Sequence, residues 1–217
     1  TGSSNTGGLA GTSTGSDSGN LWDTATSGMA TSAAGTGLGT TQMKSLATYT
    51  AAAWDQANTW IVYDTNTYPL LRAFMTPLQV NFAANNSKTY DGTSTFTASG
   101  VTASRPGAYA SLLGTLSAGT AGNAVNAGTY AITAGGLYSG QRGYIISYGA
   151  GNVTIAPKAL SWTALAVNNK VYDGNATGTL NKGSISGYVG SERLTTGSTI
   201  AFADQNAGTG KSVTVSG

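Results

Sequence analysis

The sequence predicts an all-β protein, and three observations carry that prediction. Glycine fills 32 of the 217 positions and only 8% of residues are charged, so the polar surface falls to Ser, Thr and Asn. Such a composition suits short strands joined by many turns and leaves little Leu, Glu, Lys or Arg for long helices. Apolar and polar residues alternate in several short runs, the period of a half-buried strand. A block of about 80 residues then occurs twice, the mark of a modular chain. Hydrophobic residues at 40%, with 11 Tyr spread along the length, provide enough apolar surface for a folded chain rather than a Gly/Ser linker.

Composition also removes whole classes of function. The 10 Lys and Arg against 8 Asp and Glu give a net charge of +2, which provides no electrostatic footprint for nucleic acid or an anionic membrane. No stretch approaches the ~20 apolar residues of a membrane span. Histidine and cysteine are both absent, so a Ser-His-Asp or Cys-His nucleophile is excluded. Zero cysteine leaves two compartments open: the cytosol, or a bacterial exterior reached by a chain that stays unlinked during export. The chain opens with Thr-Gly-Ser-Ser-Asn rather than a basic and then apolar leader, and reads as an internal piece of a longer protein.

Residues 1–75 form the first predicted segment. It holds Thr6-Gly7-Gly8-Leu9-Ala10-Gly11, then Trp22-Asp23-Thr24 through Gly28, then Gly37-Leu38 through Lys44. Thr40 or Thr41 ahead of Gln42 to Leu46 predicts a capped single helical turn. Trp60 to Tyr63 predicts a strand, and Tyr68-Pro69-Leu70-Leu71-Arg72 closes the segment.

Residues 76–158 form a first repeat and 159–217 a second, incomplete one. Lys88-Thr89-Tyr90-Asp91-Gly92-Thr93 recurs as Lys170-Val171-Tyr172-Asp173-Gly174-Asn175, and Asn126-Ala127-Gly128-Thr129 recurs as Asn206-Ala207-Gly208-Thr209. In the first repeat, strands are expected at Leu78 to Phe82, Thr129 to Thr133, Tyr144 to Tyr148 and Asn152 to Ile155. A short helical turn fits between Gly107 and Leu113. Matching Thr129 to Thr209 sets Gly217 opposite Leu137, so counterparts of Tyr138 to Ile155 are expected either from further chain or from a neighbouring molecule. Each module is read as a small β-sandwich of immunoglobulin type, with a β-grasp fold as the alternative if the turn is helical.

These motifs resemble a family. Gly7-Gly8-Leu9-Ala10-Gly11 resembles the last of the GLUG motifs of bacterial surface proteins. The run from Trp22-Asp23-Thr24 through Trp54-Asp55, Trp60 and Tyr68-Pro69-Leu70-Leu71 is similar to the segment that follows those motifs. The two repeats resemble the YDG modules, relatives of the MBG modules, of filamentous-haemagglutinin-like exoproteins. Together the resemblances span nearly the whole chain. They imply the end of a right-handed β-helix followed by a string of small β modules. They also imply secretion to the bacterial cell surface by a two-partner route, which a cysteine-free chain suits; the motifs of the secretion domain itself are absent.

Gly11-Thr12-Ser13-Thr14-Gly15 has the letters of a nucleophile elbow but no base. Gly208-Thr209-Gly210-Lys211-Ser212 fails as a phosphate loop, because Gln205 stands where the first glycine is needed. The eight acids are scattered, which disfavours a paired-carboxylate glycosidase. Asp91-Gly92 and Asp173-Gly174 are read as tight turns, Gly providing positive φ, with a calcium ligand as the lesser reading. Tyr90 and Tyr172 are expected to pack on their own modules. Trp22, Trp54, Trp60 and Trp162 form either core packing or a carbohydrate platform. Asn85, Asn152 and Asn175 open sequons for N-linked sugar.

The sequence therefore predicts a non-enzymatic protein without cofactor or metal. Its expected role is a structural and adhesive segment of an extracellular surface protein, in attachment, biofilm or matrix formation. Expected partners are host or bacterial surface glycans and proteins, or matrix polysaccharide. Self-association into an extracellular filament by strand addition, and a carbohydrate-binding module, are the alternatives.

Overall fold

Strands make up most of the regular structure, and the chain is all-β. The computed structural model describes residues 6–15, 17–194 and 199–216. The chain divides into two units, one of Thr1–Asn86, Thr95–Ala121 and Ala131–Asn152, the other of Ser87–Ser94, Gly122–Tyr130 and Val153–Gly217.

The N-terminal part begins with β1 (Leu21–Asp23) paired in parallel with β2 (Thr36–Leu38), Trp22 opposite Gly37. Trp22 is buried, and glycine is what admits it. A Cβ on Gly8 would lie 1.9 Å from the indole and one on Gly37 2.6 Å from it, closer than any side chain can sit. Helix α1 (Thr24–Ser27) follows, capped by Asp23, whose Oδ1 accepts the Ala25 and Thr26 N–H groups at 2.8 and 3.1 Å. The Tyr68 hydroxyl donates to Asp23 Oδ2 at 2.5 Å. That bond leads the interactions holding this carboxyl well below the usual carboxylate range, helped by Thr40 and the two amides against the effect of burial.

The helical turn expected near Gln42 is α2 (Thr40–Met43). Its cap is Gly39 rather than a threonine, and the Gly39 N–H donates back to Gln42 Oε1 at 3.2 Å. A third helix, α3 (Leu46–Ala51), was not expected from the sequence. Tertiary contacts hold it: the Leu46 N–H donates to Asp64 Oδ1 at 2.8 Å, and the fully buried Tyr49 donates to the Met43 carbonyl at 2.5 Å. The expected strand at 60–63 is shorter, β3 (Trp60–Ile61), antiparallel to β4 (Leu70–Leu71). Tyr63 instead sends its hydroxyl to the Tyr144 carbonyl at 2.5 Å and accepts the Ile146 N–H at 3.0 Å.

The first repeat contains β5 (Thr76–Asn81), β6 (Asn86–Thr89), β7 (Thr95–Phe96), β8 (Thr102–Ala103), β9 (Leu113–Thr120), β10 (Gly128–Tyr138), β11 (Tyr144–Tyr148) and β12 (Asn152–Ala156). These make a three-stranded sheet, β11-β5-β8, and a five-stranded one, β6-β12-β10-β9-β7. β5 runs parallel to β11, from Thr76 opposite Tyr144 to Val80 opposite Tyr148. Alternation places Leu78 and Val80 of β5, and Val153 and Ile155 of β12, in full burial. β10 is longer than expected and bends at a register shift between Gly135 and Leu137. The helical turn on which the β-grasp alternative rested is a four-residue 3-10 turn, Ala108–Ser111.

The second repeat contains β13 (Ser161–Val167), paired with β14 (Leu180–Ser186), and β15 (Thr199–Phe202), paired with β16 (Val213–Ser216). Its registers copy those of the first repeat 82 positions on. Val80 opposite Ala103 and Asn81 opposite Thr102 become Trp162 opposite Ile185 and Thr163 opposite Ser184. Thr95 opposite Gly119 becomes Thr177 opposite Ala201. Among the described residues no helix is long and apolar enough to cross a membrane.

Candidate functional site

The repeated Lys-x-Tyr-Asp-Gly segment builds the same turn twice. Gly92 and Gly174 take φ of 77° and 76°, the left-handed region that favours glycine. Before each glycine the aspartate closes an Asx turn: Asp91 Oδ1 accepts the Thr93 N–H at 2.9 Å, and Asp173 Oδ1 accepts the Asn175 N–H at 3.1 Å. The lysine three residues upstream completes the loop. Lys88 Nζ lies 2.6 Å from Asp91 and donates to the Thr93 carbonyl at 2.9 Å; Lys170 Nζ lies 2.6 Å from Asp173 and donates to the Asn175 carbonyl at 3.0 Å. Both carboxyls are consequently held below the usual range, Asp91 at about 2, with the lysine hydrogen bond as the leading cause in each.

The two lysines are the residues that motif reasoning passed over. Their signal was present, since Lys88 and Lys170 hold the same place in the repeat, but a lone lysine reads as solvated surface. The related pair Asp204 and Lys211 ties a third turn, where Asp204 Oδ1 also accepts the Asn206 N–H at 2.7 Å.

The two tyrosines differ, contrary to expectation for Tyr172. Tyr90 is half-buried and its hydroxyl donates to Glu192, a bond that pushes its own pKa up. Tyr172 is 63% exposed. Around Tyr90 lies a cavity of about 330 Å³ lined by Leu160, Tyr188, Glu192, Arg193 and Leu194. Arg193 stacks over the Tyr188 ring at 5.3 Å. No local pattern marks Glu192 as a partner of Tyr90.

The tryptophans divide between interior and surface. Trp54 packs against Tyr49 and Trp60, with ring centroids 5.0 and 4.8 Å apart, and its Nε1 donates to the Gly19 carbonyl at 2.8 Å. Trp22 is buried among glycines, while Trp162 is partly exposed. Asn85, Asn152 and Asn175 are all exposed. The Asn175 side chain accepts from Lys170 Nζ at 2.8 Å and the Thr177 N–H at 3.0 Å, which makes it part of the second turn.

Substituting the turn glycines should separate backbone strain from crowding. At Gly174 a Cβ meets nothing within 4 Å, so Gly174→Ala should cost only the left-handed penalty of about 1–2 kcal/mol. At Gly92 the Cβ would also come within 3.0 Å of Val189 Cγ1, and Gly92→Ala should lose more. Denaturant midpoints of the two variants test this; a larger loss at Gly174 would contradict it.

No curated protein and no solved structure matches this chain. Residues 156–217 match the YDG domain family. That span holds the second Lys-x-Tyr-Asp-Gly turn and strands β13 to β16, so the chain carries a YDG domain at residues 156–217.

Proposed function

We propose that the chain is a structural and adhesive segment of a large, secreted bacterial surface protein of the filamentous-haemagglutinin-like type. In this reading it is not an enzyme. The observation that carries the reading is the duplicated module, whose strand registers and lysine-aspartate turn recur 82 positions on. Tandem copies of one module add length and surface, and each needs only its own core and its contact with the next. The YDG domain at residues 156–217 supports the same reading. The parallel pairing of β1 with β2 and the glycine-framed Trp22 support a GLUG-type β-helix end over residues 1–75. The partners are cell-surface glycans or proteins, or matrix polysaccharide, met outside the bacterial cell.

Retention on surfaces tests this directly. Beads coated with the 217-residue chain should stay on bacterial cells or on matrix polysaccharide several-fold better than beads carrying an inert protein of similar size. Equal retention, with the coated chain shown to be folded by circular dichroism, would overturn the adhesive role.

A further inference from the structure

We propose that the Tyr-Asp-Gly turn of one repeat is a docking surface for the next repeat, whose loop 187–194 it binds through Tyr90 and Gly92. The partner is a neighbouring copy of the same module, met along one chain. Docking of this kind rests on the tandem-module reading and not on adhesion, so cleavage rates test it whether or not coated beads are retained.

The turn lies where the first repeat ends. β12 closes at Ala156, Pro157 follows, and β13 starts at Ser161. The Tyr90 N–H donates to the Ala156 carbonyl at 2.8 Å. The tyrosine backbone is thereby pinned to the last residue of β12, and its side chain is turned to other use. Ser87–Ser94 accordingly belongs to the same compact unit as Val153–Gly217, whereas β5, β8, β9 and β11 of its own repeat belong to the other.

The receiving loop is itself a closed turn. Gly190 takes a φ of 55°, and the Glu192 N–H donates to the Val189 carbonyl at 3.1 Å. That bond brings Val189 and Glu192 together as the two ends of a four-residue turn. These two ends are the residues that meet the Tyr-Asp-Gly turn. Glu192 accepts from the Tyr90 hydroxyl, a bond strengthened by the charge of its acceptor. Val189 Cγ1 would lie 3.0 Å from a Cβ on Gly92, so bare glycine backbone is what allows the approach. Beside them Arg193 is held over the Tyr188 ring at 5.3 Å and donates to the Glu192 carbonyl at 2.6 Å.

The three signature residues thus divide their work. Asp91 closes the Asx turn and pairs with Lys88, and Gly92 supplies positive φ. Neither task needs a phenol. The Tyr90 hydroxyl reaches instead to a residue 102 positions away. A tyrosine hydroxyl also ties segment 1–75 to the first repeat, where Tyr63 donates to the Tyr144 carbonyl and accepts the Ile146 N–H.

Glu192 is the only glutamate in the chain, so a glutamyl endopeptidase has one site, and a docked Tyr90 covers it. In the whole chain Tyr90→Phe, which keeps the ring and loses the hydroxyl, should be cut about threefold faster than the parent or more. Tyr172→Phe, the same change in the other turn, should be cut at the parent rate. Both variants should keep the circular dichroism and melting temperature of the parent. Exchange of the Glu192 amide should rise in Tyr90→Phe alongside the cleavage rate. Parent rates of cleavage and exchange in folded Tyr90→Phe would overturn the proposal. Equal acceleration in Tyr172→Phe would overturn it too, because the loop would then answer to general loosening and not to docking.

Discussion

Leu78→Ala should destabilise the protein by about 3 kcal/mol, whereas Leu160→Ala, at the same place in the other repeat, should cost under about 1 kcal/mol. The two leucines share chemistry and repeat position, so the difference isolates burial. Leu78 is 1% exposed on β5, and its removal leaves a cavity that the paired strands β8 and β11 cannot close without moving. Leu160 is 40% exposed, and water fills the space its side chain leaves. For a chain of this size the Leu78 loss corresponds to roughly 6–12 °C in Tm. Because the chain has two units, a single melting transition is not assured. The amide exchange of β5 is therefore a better readout than one midpoint. Equal losses at the two positions would show that the repeats are equally packed, against the exposures described here.

The second effect lies in the lysine clamp. Lys88 keeps only 10% of its side chain exposed, and its ammonium holds Asp91, the Thr93 carbonyl and Thr93 Oγ1 between 2.6 and 2.9 Å. Lys88→Met keeps the apolar stem and removes the charge, leaving those acceptors short of a donor. Those acceptors are exposed and water can replace the ammonium, so the expected cost is under about 1 kcal/mol. Lys170 is more exposed, at 25%, and Lys170→Met should cost less.

The clamp also has a pH signature. Asp91 has its carboxyl lowered from 3.8 to about 2, first by the Lys88 hydrogen bond and then by the Thr93 N–H and hydroxyl. A folded-state pKa below the unfolded one means that the stabilisation is fully present above about pH 4. It fades as pH falls through the window from 3.8 towards 2. Lys88→Met and Asp91→Asn should both flatten the stability profile over that window. Urea midpoints measured between pH 6 and 2 check it; an acid limb as steep in Asp91→Asn as in the parent chain would refute the assignment.

Much of this molecule could be read locally. The strands at β5, β11 and β12 follow from apolar alternation, and Asp91-Gly92 and Asp173-Gly174 stand in turns because aspartate closes the Asx ring and glycine accepts positive φ. The repeat spacing was legible because the same local needs recur in the same order. Other features were not. Helix α3 is only six residues long, too short to stand on propensity, and rests on Asp64 and the buried Tyr49 hydroxyl, neither of which a local pattern shows.

What the sequence by itself determined is thus the all-β class, the duplicated module and the chemistry of its turns. All depend on residues within a few positions of one another. Tertiary structure alone decided which partners those elements meet. It set β5 in parallel beside β11, placed Glu192 against the Tyr90 hydroxyl, and buried Leu78. The reason is physical: alternation specifies that a strand has an apolar face, but pairing and burial depend on which distant strand arrives to cover it.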